Sequence, residues 1–282
     1  MEHPSGLNGN SAVALISRDG QDNHDFDGPM CTTPYLKQLP YASQAMTSFD
    51  EILGRSRLMR LEPGAEVSTH VDFNYHWLNR VRVHIPVVTE QAVTFWCGDQ
   101  KVHMKAGECW IFDSWSRHRV THEGSSPRVH LVIDLSGSSR FWRMVTKAPV
   151  MEPIKIKPDN QYHEPRTERF NTSPIMAPGE LDALVDRLLA DLSLQPANNP
   201  ELLAHYEDIL SDFKHDWRQV WYEHGPGTSG IASYRAVIKS LVNQLSNDPR
   251  ALTTASNDVG ANPVIIQRIA RAALVESLFQ TP

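Results

Sequence analysis

The sequence predicts a mainly β N-terminal region followed by an α-helical C-terminal region, on three observations. Up to about residue 145, short runs rich in Val, Ile and aromatic residues alternate with Gly, Pro, Asp and Ser, the pattern of antiparallel strands in a sandwich or barrel. After Trp142 the chain turns rich in proline and charge over KAPVMEPIKIKPDNQYHEPRTERFNTSPIMAPGE, as an extended linker or wrapping arm does. Beyond that arm, apolar residues recur at helical spacing with Pro, Gly and Asn punctuating the runs, which predicts a small helical unit.

Taken in order, residues 1 to 12 are rich in Gly, Ser and Asn and read as a loose tail. A short apolar strand follows within VALISRDGQDNHDFDGPM and runs into a polar, turn-forming loop. PYLKQLPYASQAMTSFDEIL supplies helical or irregular packing before the strands RSRLMRLEP, RVRVHIPVV, AVTFWC, KVHMKA, ECWIFD and RVHLVIDL. In RVRVHIPV, Arg80, Arg82 and His84 alternate with Val81, Val83, Ile85 and Val87; in RVHLVIDL, Arg128 and His130 alternate with Val129, Leu131, Ile133 and Leu135. A period of two puts each set on its own face of a sheet. On alternation alone, the polar faces read as solvent-exposed.

Composition narrows the function classes. A formal charge of -6 and no run of Lys and Arg give no electrostatic reason to bind nucleic acid. Cys31, Cys97 and Cys109 are odd in number and form no C-x-x-C pair, which argues against a disulfide framework or a zinc ribbon and fits a reducing cytoplasm. The N-terminal sequence has no basic region ahead of a long apolar run, and no stretch reaches the apolar length of a membrane span, so a soluble, untargeted cytoplasmic protein is expected.

The chemistry centres on STHVDFNYHW. His70 and Asp72 stand at i and i+2, so in an extended chain an imidazole and a carboxylate point to one side and converge on one ion. This is the one H-x-D in a chain of 13 histidines. The nearest competitor, His205 with Glu207, falls in a predicted helix, where residues two apart diverge. His118 follows CWIFD and the loop SWSR, and would complete a two-histidine, one-carboxylate facial triad of the kind non-haem Fe(II) oxygenases use. His122 is its rival in SRHRVTH, read as a loop-surface residue, and His76 reads as a loop or packing residue. Arg128, ten residues after His118, begins a strand expected to run antiparallel to the one leading into the His118 loop. A guanidinium there suits bidentate capture of a dicarboxylate's distal end while the other end chelates the metal.

Together, LEPGAEVSTHVD, NRVRVHIPV, CGDQKVHMKAGECWIFDSWSRHRV and PRVHLVID resemble the aspartyl/asparaginyl β-hydroxylase family of Fe(II)/2-oxoglutarate dioxygenases. The resemblance covers roughly residues 55 to 136. It implies a double-stranded β-helix, a cupin-like jelly roll, with a dioxygenase domain over 1–145, a Pro-rich arm over 146–175 and a helical region over 176–282. It also implies that His70, Asp72 and His118 bind Fe(II) and that Arg128 anchors the distal carboxylate of 2-oxoglutarate. Arg82 and His84 then stand where the family supports the cosubstrate, with His130 beside the pocket. Asp72 makes the sequence look more like the bacterial proline cis-hydroxylases of the same broad family than the animal enzymes, which lack that carboxylate. Met59 stands where the animal enzymes would place a hydroxyl.

The implied activity is hydroxylation of an amino acid or its derivative with Fe(II), 2-oxoglutarate and O2. RDGQDNHDFDGPM and TTPYLKQLPY are expected on the substrate side. The helical region is expected to serve dimerisation, giving a homodimer, or to support a lid. Two other readings of the same fold stay open: a cupin-like binding protein without oxygenation, and a zinc hydrolase or isomerase at the same ligands.

Overall fold

The structure is a computed structural model that describes residues 9–148 and 153–279. The first eight residues of the expected tail and 149–152 of the expected arm lie outside the described residues. Two compact units make up the chain: Met1–His70 with Asn79–Asn171, and Val71–Leu78 with Thr172–Pro282.

The first unit is built on ten antiparallel strands: β1 (Asn10–Arg18), β2 (Met30–Thr32), β3 (Leu53–Leu61), β4 (Glu66–His70), β5 (Val81–Val88), β6 (Val93–Cys97), β7 (Gln100–Val102), β8 (Trp110–Ile111), β9 (His118–His122) and β10 (Arg128–Leu135). The major sheet has the order β2-β1-β3-β10-β5-β8 and the minor sheet the order β4-β9-β6-β7. Set aside β1 and β2, and the eight strands from β3 to β10 form two four-stranded sheets between which the chain crosses back and forth. That is the jelly-roll, or double-stranded β-helix, topology. β10 lies between β3 and β5, whereas the strand leading into the His118 loop, β8, pairs with β5. The Arg128 strand, expected to run antiparallel to β8, is therefore corrected: both pair antiparallel with β5 between them, so β10 and β8 run parallel.

Alternation decides what each face of the major sheet does. Leu131, Ile133, Leu135 and Val83 point outward and join Leu15, Ile16, Met30 and Leu53 in a buried core. Leu36 of α1 (Pro34–Lys37), Met46 of α2 (Pro40–Thr47) and Phe141 of the later helix Ser139–Lys147 close that core. The PYLKQLPYASQ stretch expected as packing thus forms two short Pro-started helices, where proline's fixed φ suits the first helical turn. A second core of Leu61, Val93, Phe95, Met104 and Val120 fills one end of the space between the sheets.

The expected division at 145 is displaced to 171/172. Part of the Pro-rich arm adds itself to the first unit: Leu53 bridges Thr167, and Arg80 forms an ion pair with Glu168, 2.7 Å apart and 8% exposed on both sides. Arg80, the residue before β5, thus spends its guanidinium on the arm.

The second unit is helical, with long helices Pro178–Ser193, Pro200–His224 and Ile231–Gln244. Asn199 caps the second of these by accepting from Leu202 N, with Pro200 at the first position. Their buried faces carry Leu181, Val185, Leu188 and Leu192, then Tyr206, Leu210, Phe213 and Trp217, then Tyr234 and Leu241, the i, i+4 stripes the sequence predicts. His205 and Glu207 lie exposed on the middle helix. A π-helical turn, Ile265–Ala270, carries buried Arg268, whose Nε donates to Phe73 O at 3.0 Å within this unit. His76, in the short helix Tyr75–Leu78, is buried and packs edge-on against Trp77. Among the described residues, no helix is long and apolar enough to cross a membrane.

Candidate metal centre and barrel interior

His70 is the last residue of β4 and His118 the first of β9, directly opposite it in the antiparallel pair. Neither strand stands out in the sequence, because EVSTH and HRVTH are short and mostly polar. Pairing brings the two imidazole rings to 4.2 Å between centroids. Asp72 follows two residues beyond His70, and the ligand atoms of His70, Asp72 and His118 all lie within 4.8 Å of one another.

Both imidazoles are oriented by the same local device. His70 Nδ1 donates to Ser68 O at 2.8 Å, and His118 Nδ1 donates to Ser116 O at 2.9 Å. A proton held on Nδ1 leaves each Nε2 lone pair for a metal, the arrangement in which a backbone carbonyl fixes tautomer and ring orientation. Ser116 is itself placed by Asp113, whose carboxylate accepts from Trp115 N at 3.0 Å and from Ser116 Oγ at 3.2 Å. Two neutral imidazoles and one carboxylate fit a borderline first-row divalent metal.

His122 is corrected from a loop-surface residue to a buried one. It lies in β9, 2% exposed, with Nε2 donating to Ser126 O at 2.7 Å and Nδ1 accepting from Gly124 N at 3.2 Å. Both nitrogens are spent on the turn into β10, so this imidazole is structural. No sequence signal separates it from His118: both sit in HRVTH, at the two ends of one strand.

The inner face of the major sheet is not solvent-exposed, as alternation alone suggested, but enclosed by the minor sheet. Arg57, His84, Arg128, His130 and Asp134 are each 8% exposed or less. Arg128 pairs across from Leu61, at the end filled by the second apolar core, and burial lowers its pKa to about 10, so it remains cationic at neutral pH. Its Nη2 donates to His130 Nδ1 at 2.7 Å. The His130 proton is therefore on Nε2, which has no protein partner, as is also true of Arg128 Nε. Burial and the neighbouring Arg128 cation keep His130 neutral.

His84 is also neutral, its pKa pushed well below the usual histidine value by burial and then by Arg82 and Arg128. Neither of its ring nitrogens has a hydrogen-bond partner among the described residues. Phe112 touches both His84 and His118, with ring centroids 5.3 and 5.0 Å away, and so relates the two sheets at the level of the metal ligands. Arg82 is held by Asp134, Nε to Oδ1 at 2.9 Å. Met59 pairs across from His130.

One interior residue went unread in the sequence. Arg57 lies on β3, opposite Val132, which is opposite His84 on the other side. It is 5% exposed, burial lowers its pKa to about 10, and its Nε and Nη2 have no hydrogen-bond partner among the described residues. A period of two puts Arg55, Arg57, Met59 and Leu61 on one face of RSRLMRL and Ser56, Leu58 and Arg60 on the other, so neither face reads as polar or apolar.

Comparison with known proteins places the likeness within the strand-rich region. Residues 23–137 match the model of the aspartyl/asparaginyl beta-hydroxylase family. An L-proline cis-4-hydroxylase of Rhizobium meliloti (strain 1021) is 28% identical over 134 residues, covering 45% of this chain and 48% of that protein. The chain thus spans about half the length of the curated relative it matches. Among solved structures, an oxidoreductase of the 2OG-Fe(II) oxygenase family from Burkholderia pseudomallei aligns at TM-score 0.37 and 14% identity, over 49% of this chain and 72% of that one. A predicted oxalate decarboxylase from Thermotoga maritima aligns at TM-score 0.26 and 14% identity, over 48% and 98%. The segment that carries the histidine–aspartate triad and Arg128 is thus the part of the chain that is similar to the aspartyl/asparaginyl beta-hydroxylase family.

Proposed function

We propose that the chain is an Fe(II)- and 2-oxoglutarate-dependent dioxygenase that hydroxylates an unactivated C–H bond of an amino acid or amino-acid derivative. The observation that carries this reading is the His70, Asp72 and His118 cluster at the edge of a barrel interior that buries Arg128 with an unmet donor. A facial triad leaves metal positions open for a chelating cosubstrate and dioxygen. Arg128 offers a desolvated, fork-shaped cation for the cosubstrate's distal carboxylate, where a charge-assisted pair is strongest. When bound, iron and cosubstrate supply the oxidising power, and succinate and carbon dioxide are the coproducts.

The residues of this chain bind, orient and exclude. Ser68 and Ser116 hold the two imidazoles with their metal-facing nitrogens free. Leu61, Val93, Phe95, Met104 and Val120 keep water from the Arg128 end. His84 and His130, both neutral, offer hydrogen bonds without adding charge. The activity on L-proline of a relative similar over about half its length supports a small amino-acid-type substrate.

The test is anaerobic: Fe(II) and 2-oxoglutarate are added to the protein, and the visible metal-to-ligand charge-transfer band is recorded for wild type and three variants. The band is expected to survive His122→Ala, to vanish in His118→Ala, and to need about thirty-fold more 2-oxoglutarate in Arg128→Met, the loss of one charged hydrogen-bonded pair. A wild type that binds metal but gives no band would overturn the proposal and favour a zinc or cupin-like role.

A further inference from the structure

The interior holds a second buried guanidinium that a metal and one cosubstrate leave unused. On the reading above, the two ends of 2-oxoglutarate are committed, one carboxylate to Arg128 and the other to the metal. Arg57 sits four residues before Leu61 on β3, and Leu61 is the residue opposite Arg128. That separates the two arginine backbones by about 13 Å along the strands. A single small diacid anchored at Arg128 and chelated at the metal has no third anionic group to offer Arg57.

Among the described residues, the one carboxylate acting on Arg57 is Asp134, and Arg82 already takes both of its oxygens, at 2.9 and 3.5 Å. Arg57 Nε and Nη2 are left buried without a hydrogen-bond acceptor, a costly state unless a ligand satisfies it.

The position also suits a substrate. Arg57 and His84 flank Val132 at one level of the sheet, and His84 meets Phe112, which in turn meets the metal ligand His118. Near Arg57 comes the loop expected on the substrate side. His24 of that loop feels the Arg57 and Arg55 cations, its backbone carbonyl accepts from Arg55 Nη1 at 3.0 Å, and Phe26 lies under the Arg55 guanidinium at 3.9 Å.

We propose that Arg57 is the specificity-determining residue that binds the free carboxylate of an amino-acid substrate, at a subsite distinct from the Arg128 cosubstrate anchor. The inference rests on the dioxygenase reading for its chemistry but not for its binding test. The substrate class is then a free α-amino acid, rather than a residue within a peptide, whose carboxylate is an amide.

The test uses the full chain with Arg57→Met, Arg57→Lys and Arg128→Met. First, the charge-transfer band is titrated anaerobically with 2-oxoglutarate; Arg57→Met should bind within about three-fold of wild type, whereas Arg128→Met should be about thirty-fold weaker. Second, melting temperature is measured with Mn(II) and 2-oxoglutarate, with an equimolar mixture of the twenty L-amino acids or of their amides. The acids should raise it in wild type and the amides should not. Arg57→Met should lose the response, and Arg57→Lys should recover part of it. Without ligands, Arg57→Met should melt no lower than wild type, since a purely structural arginine would lower it.

Equal loss of 2-oxoglutarate binding in both Met variants would make Arg57 a cosubstrate residue and overturn the inference. So would an equal response to amides, or no response to either mixture. A missing band with an intact, Arg57-dependent thermal response would sink the dioxygenase reading and leave the carboxylate subsite standing.

Discussion

The two faces of the major sheet share the same strands and the same backbone ladder, yet they are built on opposite principles. Outward, Val83, Leu131, Ile133 and Leu135 pack against the helices that cover them, and apolar burial there contributes stability directly. Inward, Arg57, His84, Arg128 and His130 are equally buried but present donors with no protein partner, which lowers stability. Burial alone therefore does not separate core from site. What separates them is whether the buried group is satisfied by the protein, and an interior that is not satisfied is waiting for a ligand.

That contrast breaks first on the outer face. Ile133→Ala removes a fully buried side chain and should cost about 3 kcal/mol in chemical denaturation, while leaving metal and 2-oxoglutarate affinity of the folded protein unchanged. A comparable loss of cosubstrate affinity would show that the faces are not separable.

On the inner face the opposite outcome is expected. Arg128→Met trades a desolvated cation for an apolar chain of similar length, so stability without ligand should hold or rise. A clear drop in melting temperature would make Arg128 structural.

Acidity sharpens the comparison further. His84 and His130 have folded-state pKa values pushed below the unfolded value near 6.5, so below that pH the unfolded chain takes up protons that the folded chain refuses. Their penalty is absent above pH 6.5 and grows as pH falls, at up to about 1.4 kcal/mol per pH unit for each histidine. Melting without ligand from pH 7.5 to 5 should therefore steepen below 6.5. His130→Phe should flatten it, and an unchanged slope would contradict the burial-driven shift. The smallest effect is expected at His122→Ala, which loses the bonds to Ser126 and Gly124 and about 1 kcal/mol of stability, with metal affinity retained.

Much of this was legible beforehand. Alternation in RVRVHIPV and RVHLVIDL separated Arg82, His84, Arg128 and His130 from Val83, Leu131, Ile133 and Leu135, and the single H-x-D with His118 named the clustered residues. The helical stripes of the C-terminal region were equally plain, because a period of 3.6 repeated over several turns has few competitors. Three things were not legible. Strands β4 and β9 are too short and polar to register as strands, although their pairing is what places His70 against His118. His122 and His118 share one motif, and only hydrogen bonding assigns one to the turn and the other to the cluster. Arg57 belongs to a run whose two faces each mix polar and apolar residues, which gives no hint of enclosure.

The sequence by itself determined that a strand-rich region precedes a helical one, the two-faced character of the central strands and the residue types able to hold a metal. These follow from periodicity and side-chain chemistry, which are local. Only the tertiary structure decided which polar face is covered, which histidine is spent, and where one compact unit ends. Those outcomes depend on the minor sheet closing over the major one and on Glu168 reaching back to Arg80. Contacts between residues far apart in the chain fix them, and no local pattern encodes the partner.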